Sequence, residues 1–220
     1  MQNNSHFSKQ PLPIACIIMA SGASQRFGSN KLLASFHGRP LIENILLTTN
    51  QISFLERLVV TRSTEAADIC HKQQVSVLLH DEPGQNDTVR LAIGRLKDYK
   101  PAGYLFCVAD QPLISAASLF KLCQAFLAAP QYIYRTSYNN IPGNPILFPA
   151  AFAADLMQLP QDKGGSYLLK KYPERGRYVP VQDAYELYDI DTPEDLQHLE
   201  LLTPSAALVA ILLNIVLPKE

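Results

Sequence analysis

Positions 19–32 read Met-Ala-Ser-Gly-Ala-Ser-Gln-Arg-Phe-Gly-Ser-Asn-Lys-Leu, a run of small residues in which Arg26 and Lys31 are the only charges. Ala20, Ser21, Gly22, Ala23 and Ser24 carry so little bulk that backbone N–H groups there can approach an anion closely, with two fixed cations at hand. That chemistry suits the phosphates of a nucleotide. Neither common phosphate signature fits: there is no Gly-x-Gly-x-x-Gly, and Gly22 and Gly28 stand six apart where a P-loop needs five, with Ser29 following instead of Lys. A nicotinamide dehydrogenase and a P-loop ATPase are therefore disfavoured. A small-residue βα turn with two solvated cations is the other reading that the spacing allows.

Asp110 is the second chemical group of note. It closely follows the apolar run 104–108 and precedes Pro112, so its carboxylate is expected in the crevice beyond a strand's carboxyl end, where it could bind a hard cation such as Mg2+. Asp189 and Asp191 are candidate partners, because residues two apart on a strand end point to the same side. A cap or turn role is the alternative for each of these aspartates.

The elements that must hold these groups follow from periodicity. Residues 14–19, 58–61, 75–79 and 104–108 are compact apolar, β-branched or aromatic runs and are predicted strands. Between them, 40–51, 64–73 and 87–96 repeat apolar residues at helical spacing, with Val89, Ile93 and Leu96 on one face. The βαβα order predicts an α/β fold: a Rossmann-like, mostly parallel sheet with helices on both faces and right-handed crossovers. Such sheets bind ligands beyond the carboxyl ends of their strands, where the first loop and Asp110 both fall. Beyond Ser115 a helix is expected to Leu127, buried through Leu119, Leu122, Cys123 and Phe126. Residues 132–138 then lead to 141–148, expected as a turn feeding another strand, and 162–166 as a helix start. Thr192, Pro193 and Asp195 form a strong start signal for a last helix.

At 220 residues, 47% hydrophobic and 18% charged, with a net charge of -1, the chain is expected to form one folded domain. The near-neutral balance argues against a nucleic-acid partner and leaves a small molecule as the phosphate ligand. The four cysteines lack metal-ligand spacing and are expected to be buried and reduced, in a cytoplasmic setting. The short apolar run after Lys9 is read as a first strand and not a signal peptide. Three parts are expected: a disordered N-terminus over 1–13, a domain over 14–202 and an apolar tail over 203–220. The apolar stretch 205–217 is too short to span a membrane, so packing on protein is expected there and no membrane contact.

Taken in order, the motifs resemble a known family. Ala20-Ser21-Gly22-x-Ser24-x-Arg26-Phe27-Gly28-x-x-Lys31-Leu32-Leu33, then Gly38-Arg39-Pro40-Leu41-Ile42, is similar to the opening of the MobA-like nucleotidyltransferases, in particular the molybdenum cofactor cytidylyltransferases. The resemblance continues at Gly84-Gln85-Asn86-Asp87-Thr88, Asp110-Gln111-Pro112-Leu113, Gly143-Asn144-Pro145 and 189–195, covering nearly all of 14–202. It implies a Mg2+-dependent transfer of a nucleoside monophosphate from a nucleoside triphosphate to a phosphate on an acceptor, with release of pyrophosphate. By resemblance, Ala20, Ser21, Gly22 and Ala23 line the nucleotide, and Arg26 and Lys31 hold its triphosphate and stabilise the transition state. Gly84, Asn86 and Thr88 complete the nucleotide pocket. Asp110 is the principal metal ligand, with Asp189 or Asp191 second, and Gly143, Asn144 and Gly164 face a molybdopterin-type acceptor.

Three departures shape these expectations. Ala109 stands where the family often has Gly, a small change. The position of Ser21 is usually Gly in guanylyl members and Ala in cytidylyl members, and the bulk of Ser favours CTP. Gly164-Gly165-Ser166 stands where many relatives continue Gly-Ala-Arg, which removes one acceptor-phosphate contact and leaves the acceptor more open than the nucleotide. The leading expectation is a cytidylyltransferase maturing molybdenum cofactor for a hydroxylase of the xanthine dehydrogenase type. The alternatives are a sugar- or alcohol-phosphate nucleotidyltransferase, and a non-catalytic chaperone inserting the cofactor into a molybdenum hydroxylase.

Overall fold

The computed structural model describes residues 10–203. Its strands are β1 (Leu12–Ala20), β2 (Ser35–Phe36), β3 (Arg39–Pro40), β4 (Phe54–Thr61), β5 (Ser76–Leu79), β6 (Gly103–Val108), β7 (Ile133–Tyr138), β8 (Ile141–Pro149) and β9 (Gly176–Pro180). Its α-helices are α1 (Leu41–Asn50), α2 (Thr64–Lys72), α3 (Gln85–Leu96), α4 (Ala116–Ala128), α5 (Ala153–Met157), α6 (Ser166–Lys171) and α7 (Pro193–Leu202). Seven strands form one sheet in the order β5-β4-β1-β6-β8-β7-β9, while β2 and β3 make a separate hairpin. The β5, β4, β1 and β6 neighbours pair in parallel, β8 is antiparallel to both β6 and β7, and β9 is parallel to β7. Only β8 therefore runs against the rest of the sheet.

Both faces of this sheet are covered, which explains the unbroken apolar run of β1. Ile14, Cys16 and Ile18 face a layer that includes Ile45 of α1, Cys70 of α2 and Phe126 of α4. Ala15 and Ile17 face the other layer, with Val89, Ile93 and Leu96 of α3, Leu156 of α5 and Leu168 of α6. A third cluster, Phe36, Leu41, Ile190, Leu196 and Leu199, joins the β2–β3 hairpin to α7. All four cysteines are buried and free.

The structure departs from the sequence expectations at particular places. β1 starts at Leu12 and not at Ile14: the Leu12 side chain is buried and its N–H donates to the Ser53 carbonyl at 2.7 Å, so residues 12 and 13 belong to the domain. Residues 141–148 are not a turn feeding a strand but lie wholly within β8. The turn sits just before them, at Asn139 and Asn140, both with positive φ (47° and 66°), as a two-residue hairpin between antiparallel strands requires. Residues 189–191 are not a strand end; they lie in the loop ahead of α7. α5 and the edge strand β9 were absent from the sequence expectations. The first nine residues and the apolar stretch 205–217 lie outside the described residues.

The last helix begins as its sequence requires. The Thr192 side chain accepts from the Asp195 N–H at 3.1 Å, the Asp195 carboxylate accepts from the Thr192 N–H at 2.8 Å, and Pro193 occupies the first turn. Thr192→Ala is expected to cost about 1 kcal/mol of stability, measured as a lower urea midpoint at unchanged slope.

Candidate functional site

The loop after β1 turns back on itself through two left-handed residues, Ser24 at φ 50° and Gly28 at φ 76°. Glycine is the natural occupant of the second position because a Cβ is strained there. The Asn30 side chain accepts from the Leu32 N–H at 3.2 Å, and Leu32 is buried, so a single 3-10 turn delivers Lys31 inward. Only 9% of the Lys31 side chain remains exposed. Its ammonium donates to Asp110 Oδ2 at 2.7 Å, to the Ile190 carbonyl at 2.8 Å and to Asp191 Oδ1 at 3.0 Å. An ammonium has three protons to give, so this donor set is fully used. Burial works against the charged form, but the charge of Asp110 and the hydrogen bonds of Asp110 and Asp191 outweigh it and hold the lysine pKa above its ordinary value.

Three elements bring these oxygens together. Asp110 stands just past β6, and its backbone carbonyl accepts from the Ile190 N–H at 3.0 Å. The Ile190 side chain is fully buried against α7, and Asp195 Oδ2 accepts from the Asp191 N–H at 3.1 Å. Residues 189–191 are thus pinned between the end of β6 and the start of α7. Asp189 shares this neighbourhood: burial, followed by the charge of Asp110, pushes its carboxyl up to about 6. Arg26 reaches the same cluster from outside, donating to Asp191 Oδ2 at 2.7 Å with 72% of its side chain exposed.

Beside this cluster lies a cavity of about 240 Å³, with Ser21, Gly22 and Ala23 on one wall, Gly84 and Thr88 at the start of α3 on another, and Asp110 at its edge. Ala20 lines a neighbouring recess together with Gly22 and Ala23. Thr88 is buried, its hydroxyl donating to the Gly84 carbonyl at 3.3 Å. Asn86 does not line these cavities; its Oδ1 accepts from the Asp162 N–H at 3.1 Å and ties α3 to the loop before α6. Asn144 and Gly164 line a second cavity, of about 130 Å³, which shares Met19, Gln85 and Val108 with the first. Gly143 and Asn144 line a third, of about 310 Å³, that also includes Asp189. Most of the residues singled out in the sequence therefore fall on one continuous crevice at the carboxyl ends of β1 and β6.

The serine at position 21 is held firmly. Its hydroxyl donates to the Val60 carbonyl at 3.0 Å, which uses its one proton, so the 2.8 Å contact with His80 Nε2 makes the histidine the donor. Burial, and then the charge of Arg62, lowers the His80 pKa, in keeping with a neutral ring. Arg62 donates from Nε to the Ser21 carbonyl at 3.0 Å and lines the first cavity. Sequence reasoning missed Arg62, His80, Gln85 and Arg135. Arg62 had a signal, since it follows Thr61 at a strand's carboxyl end just as Asp110 follows β6. Arg135 had a weaker one, a charge inside a predominantly uncharged strand.

Among the described residues no three His, Cys, Asp or Glu side chains converge as a metal cage. Mg2+ commonly binds through one or two carboxylates together with substrate phosphates, however, and the oxygen donors gathered around Lys31 are of that hard type. Nor, among the described residues, is any helix long and apolar enough to cross a membrane.

Comparison with known proteins places this crevice in context. The MobA-like NTP transferase domain matches residues 16–176. Among curated proteins, the purine catabolism protein PucB of Bacillus subtilis is 28% identical over 192 residues, covering 81% of this chain and 92% of that one. A probable molybdenum cofactor guanylyltransferase of Thermococcus sibiricus is 25% identical over 195 residues, covering 84% of this chain and 96% of its own. Among solved structures, a homolog of Mycobacterium tuberculosis Rv0371c from Mycobacterium sp. strain JC1 superposes with a TM-score of 0.75 at 22% identity, covering 88% of this chain and all of that one.

Proposed function

Because the chain belongs to the MobA-like NTP transferase family and is a nucleotidyltransferase, we propose that it transfers CMP from CTP to the phosphate of a molybdopterin-type acceptor in a Mg2+-dependent reaction. The observation that carries this reading is the convergence of Asp110 and Asp191 on the Lys31 ammonium, both within 3.0 Å, beside a cavity walled by small residues and the start of α3. An acceptor phosphate oxygen attacks the α-phosphorus, the bond to the bridging oxygen breaks, and pyrophosphate leaves with the electron pair. The protein's main contribution to such a transfer is charge set in place beforehand. Lys31 and Arg26 supply that charge, and the exposed side of Asp191, shared between them, is the contact Lys31 can most readily exchange for a phosphate. Asp110, with Asp189 or Asp191, would hold the Mg2+, which when bound neutralises phosphate charge. The free amides at the start of α3 offer donors to the nucleotide.

The name of the Bacillus relative supports a molybdenum hydroxylase of the xanthine dehydrogenase type as the destination of the product, xanthine being a purine. The Thermococcus relative is named a guanylyltransferase, so base choice needs its own test. Incubation with molybdopterin, Mg2+ and each labelled nucleotide should release pyrophosphate with CTP in preference to GTP. Absence of pyrophosphate release with every nucleotide tested would refute the reading, and preference for GTP would refute the cytidylyl assignment. Ser21→Gly removes the hydroxyl held by Val60 and His80, and is expected to raise the kcat/KM ratio of GTP over CTP by about 10-fold, on the order of one lost polar or steric discrimination.

A further inference from the structure

Arg135 is half-buried and lines both the second and the third cavities of the crevice. Among the described residues it is the only charged one on the wall of the second cavity, whose other sides include Phe106, Ile146 and Phe148. Its Nε donates to the Gly143 carbonyl at 2.6 Å, which fixes the guanidinium plane against β8. Its remaining N–H groups have no protein acceptor among the described residues, and no carboxylate forms an ion pair with it. Asp189 lines the third cavity as well, yet the two do not pair. Burial lowers the Arg135 pKa from its ordinary value, with Tyr178 acting in the opposite direction.

A guanidinium held by one nitrogen, with its fork directed by a backbone carbonyl and no acid beside it, is suited to a planar, bidentate grip on an incoming oxyanion. We propose that Arg135 binds the phosphate monoester of the acceptor, and that the acceptor carries this phosphate on a flat, apolar body lodged against Phe106 and Phe148. This rests on the nucleotidyltransferase reading above for the acceptor's role, but not for the binding itself. Arg135 lines the second and third cavities and not the first, and the wall that the first and second share, Met19, Gln85 and Val108, lets an acceptor phosphate at Arg135 adjoin the nucleotide. Gln85, Asn144 and Ser166 on the same wall can add neutral hydrogen bonds, but no other described lining residue supplies a positive charge.

The test uses the full chain with CTP bound and phenyl phosphate as probe, in equilibrium dialysis. Wild type should bind phenyl phosphate and not phenol, Arg135→Gln should lose this binding by about 10- to 100-fold, the scale of one charge-assisted contact, and Arg135→Lys should recover part of it. In steady-state assays Arg135→Gln should raise the molybdopterin KM by a similar factor and leave the CTP KM within about 2-fold. Phenyl phosphate binding that is absent in wild type, or unchanged in a folded Arg135→Gln protein, overturns the assignment. Binding that depends on Arg135 without pyrophosphate release from CTP in the presence of molybdopterin upholds the anion site and overturns only the molybdopterin reading.

Discussion

Lys31→Ala is expected to lower turnover by about two orders of magnitude or more, the scale on which one transition-state charge contact contributes. The side chain is nearly buried and reaches Asp110, Asp191 and the Ile190 carbonyl at once, so no neighbouring lysine or arginine can take its place. Arg26, the nearest comparable cation, approaches Asp191 from the solvent side with most of its side chain exposed. Alanine would also leave the part-buried Asp110 carboxylate without its ammonium partner, so the variant should melt at a lower temperature than wild type. Turnover is therefore compared at a temperature where both are folded, by pyrophosphate release at saturating CTP and molybdopterin. An intact rate would remove Lys31 from the chemistry.

The second large effect is expected at Asp110. Asp110→Ala takes away the shortest contact of Lys31 and the carboxylate at the end of β6, and turnover should again fall by about two orders of magnitude or more. Its signature differs from that of Lys31→Ala in the metal dependence. Loss of a carboxylate ligand should raise the Mg2+ concentration needed for half-maximal rate, whereas loss of the ammonium should not. Asp189→Asn and Asp191→Asn, assayed over the same Mg2+ range, identify the second ligand as the variant that shifts the midpoint. Absence of pyrophosphate release by the wild-type protein, together with copurification of an apo-hydroxylase whose activation is unaffected by Asp110→Ala, would favour the insertion chaperone over the enzyme.

The central sheet was legible because its strands are covered on both faces and so read as continuous apolar runs, as at 14–19 and 104–108. α3 and α7 were legible from a buried stripe and from a capping box. Farther along, the signal weakens for physical reasons. β8 carries two prolines and a glycine in its first half, residues that ordinarily mark a turn, yet the adjoining Asn139-Asn140 pair had already made the turn. β9 is an edge strand with exposed residues and only one partner, so little apolar periodicity accompanies it. The proximity of Lys31, Asp110 and Asp191 joins residues 79 and 160 positions apart in the chain, which no local pattern encodes. Family resemblance supplied the grouping, and packing of Ile190 beneath α7 explains it.

The reversed direction of β8 bears on how this molecule can change. Because β8 alone runs backwards, its opening residues Gly143 and Asn144 reach the same rim of the sheet as the closing residues of β1 and β6. The first cavity is walled by residues from 19 to 110 alone, while the second shares Met19, Gln85 and Val108 with it and adds Arg135, Asn144 and Gly164 from the β7–β8 hairpin and the segment into α6. A short stretch bounded by a two-residue turn can vary in length and sequence without disturbing the parallel strands beside it. The lining that the second cavity adds to the shared wall can thus change while the first cavity's own residues are kept.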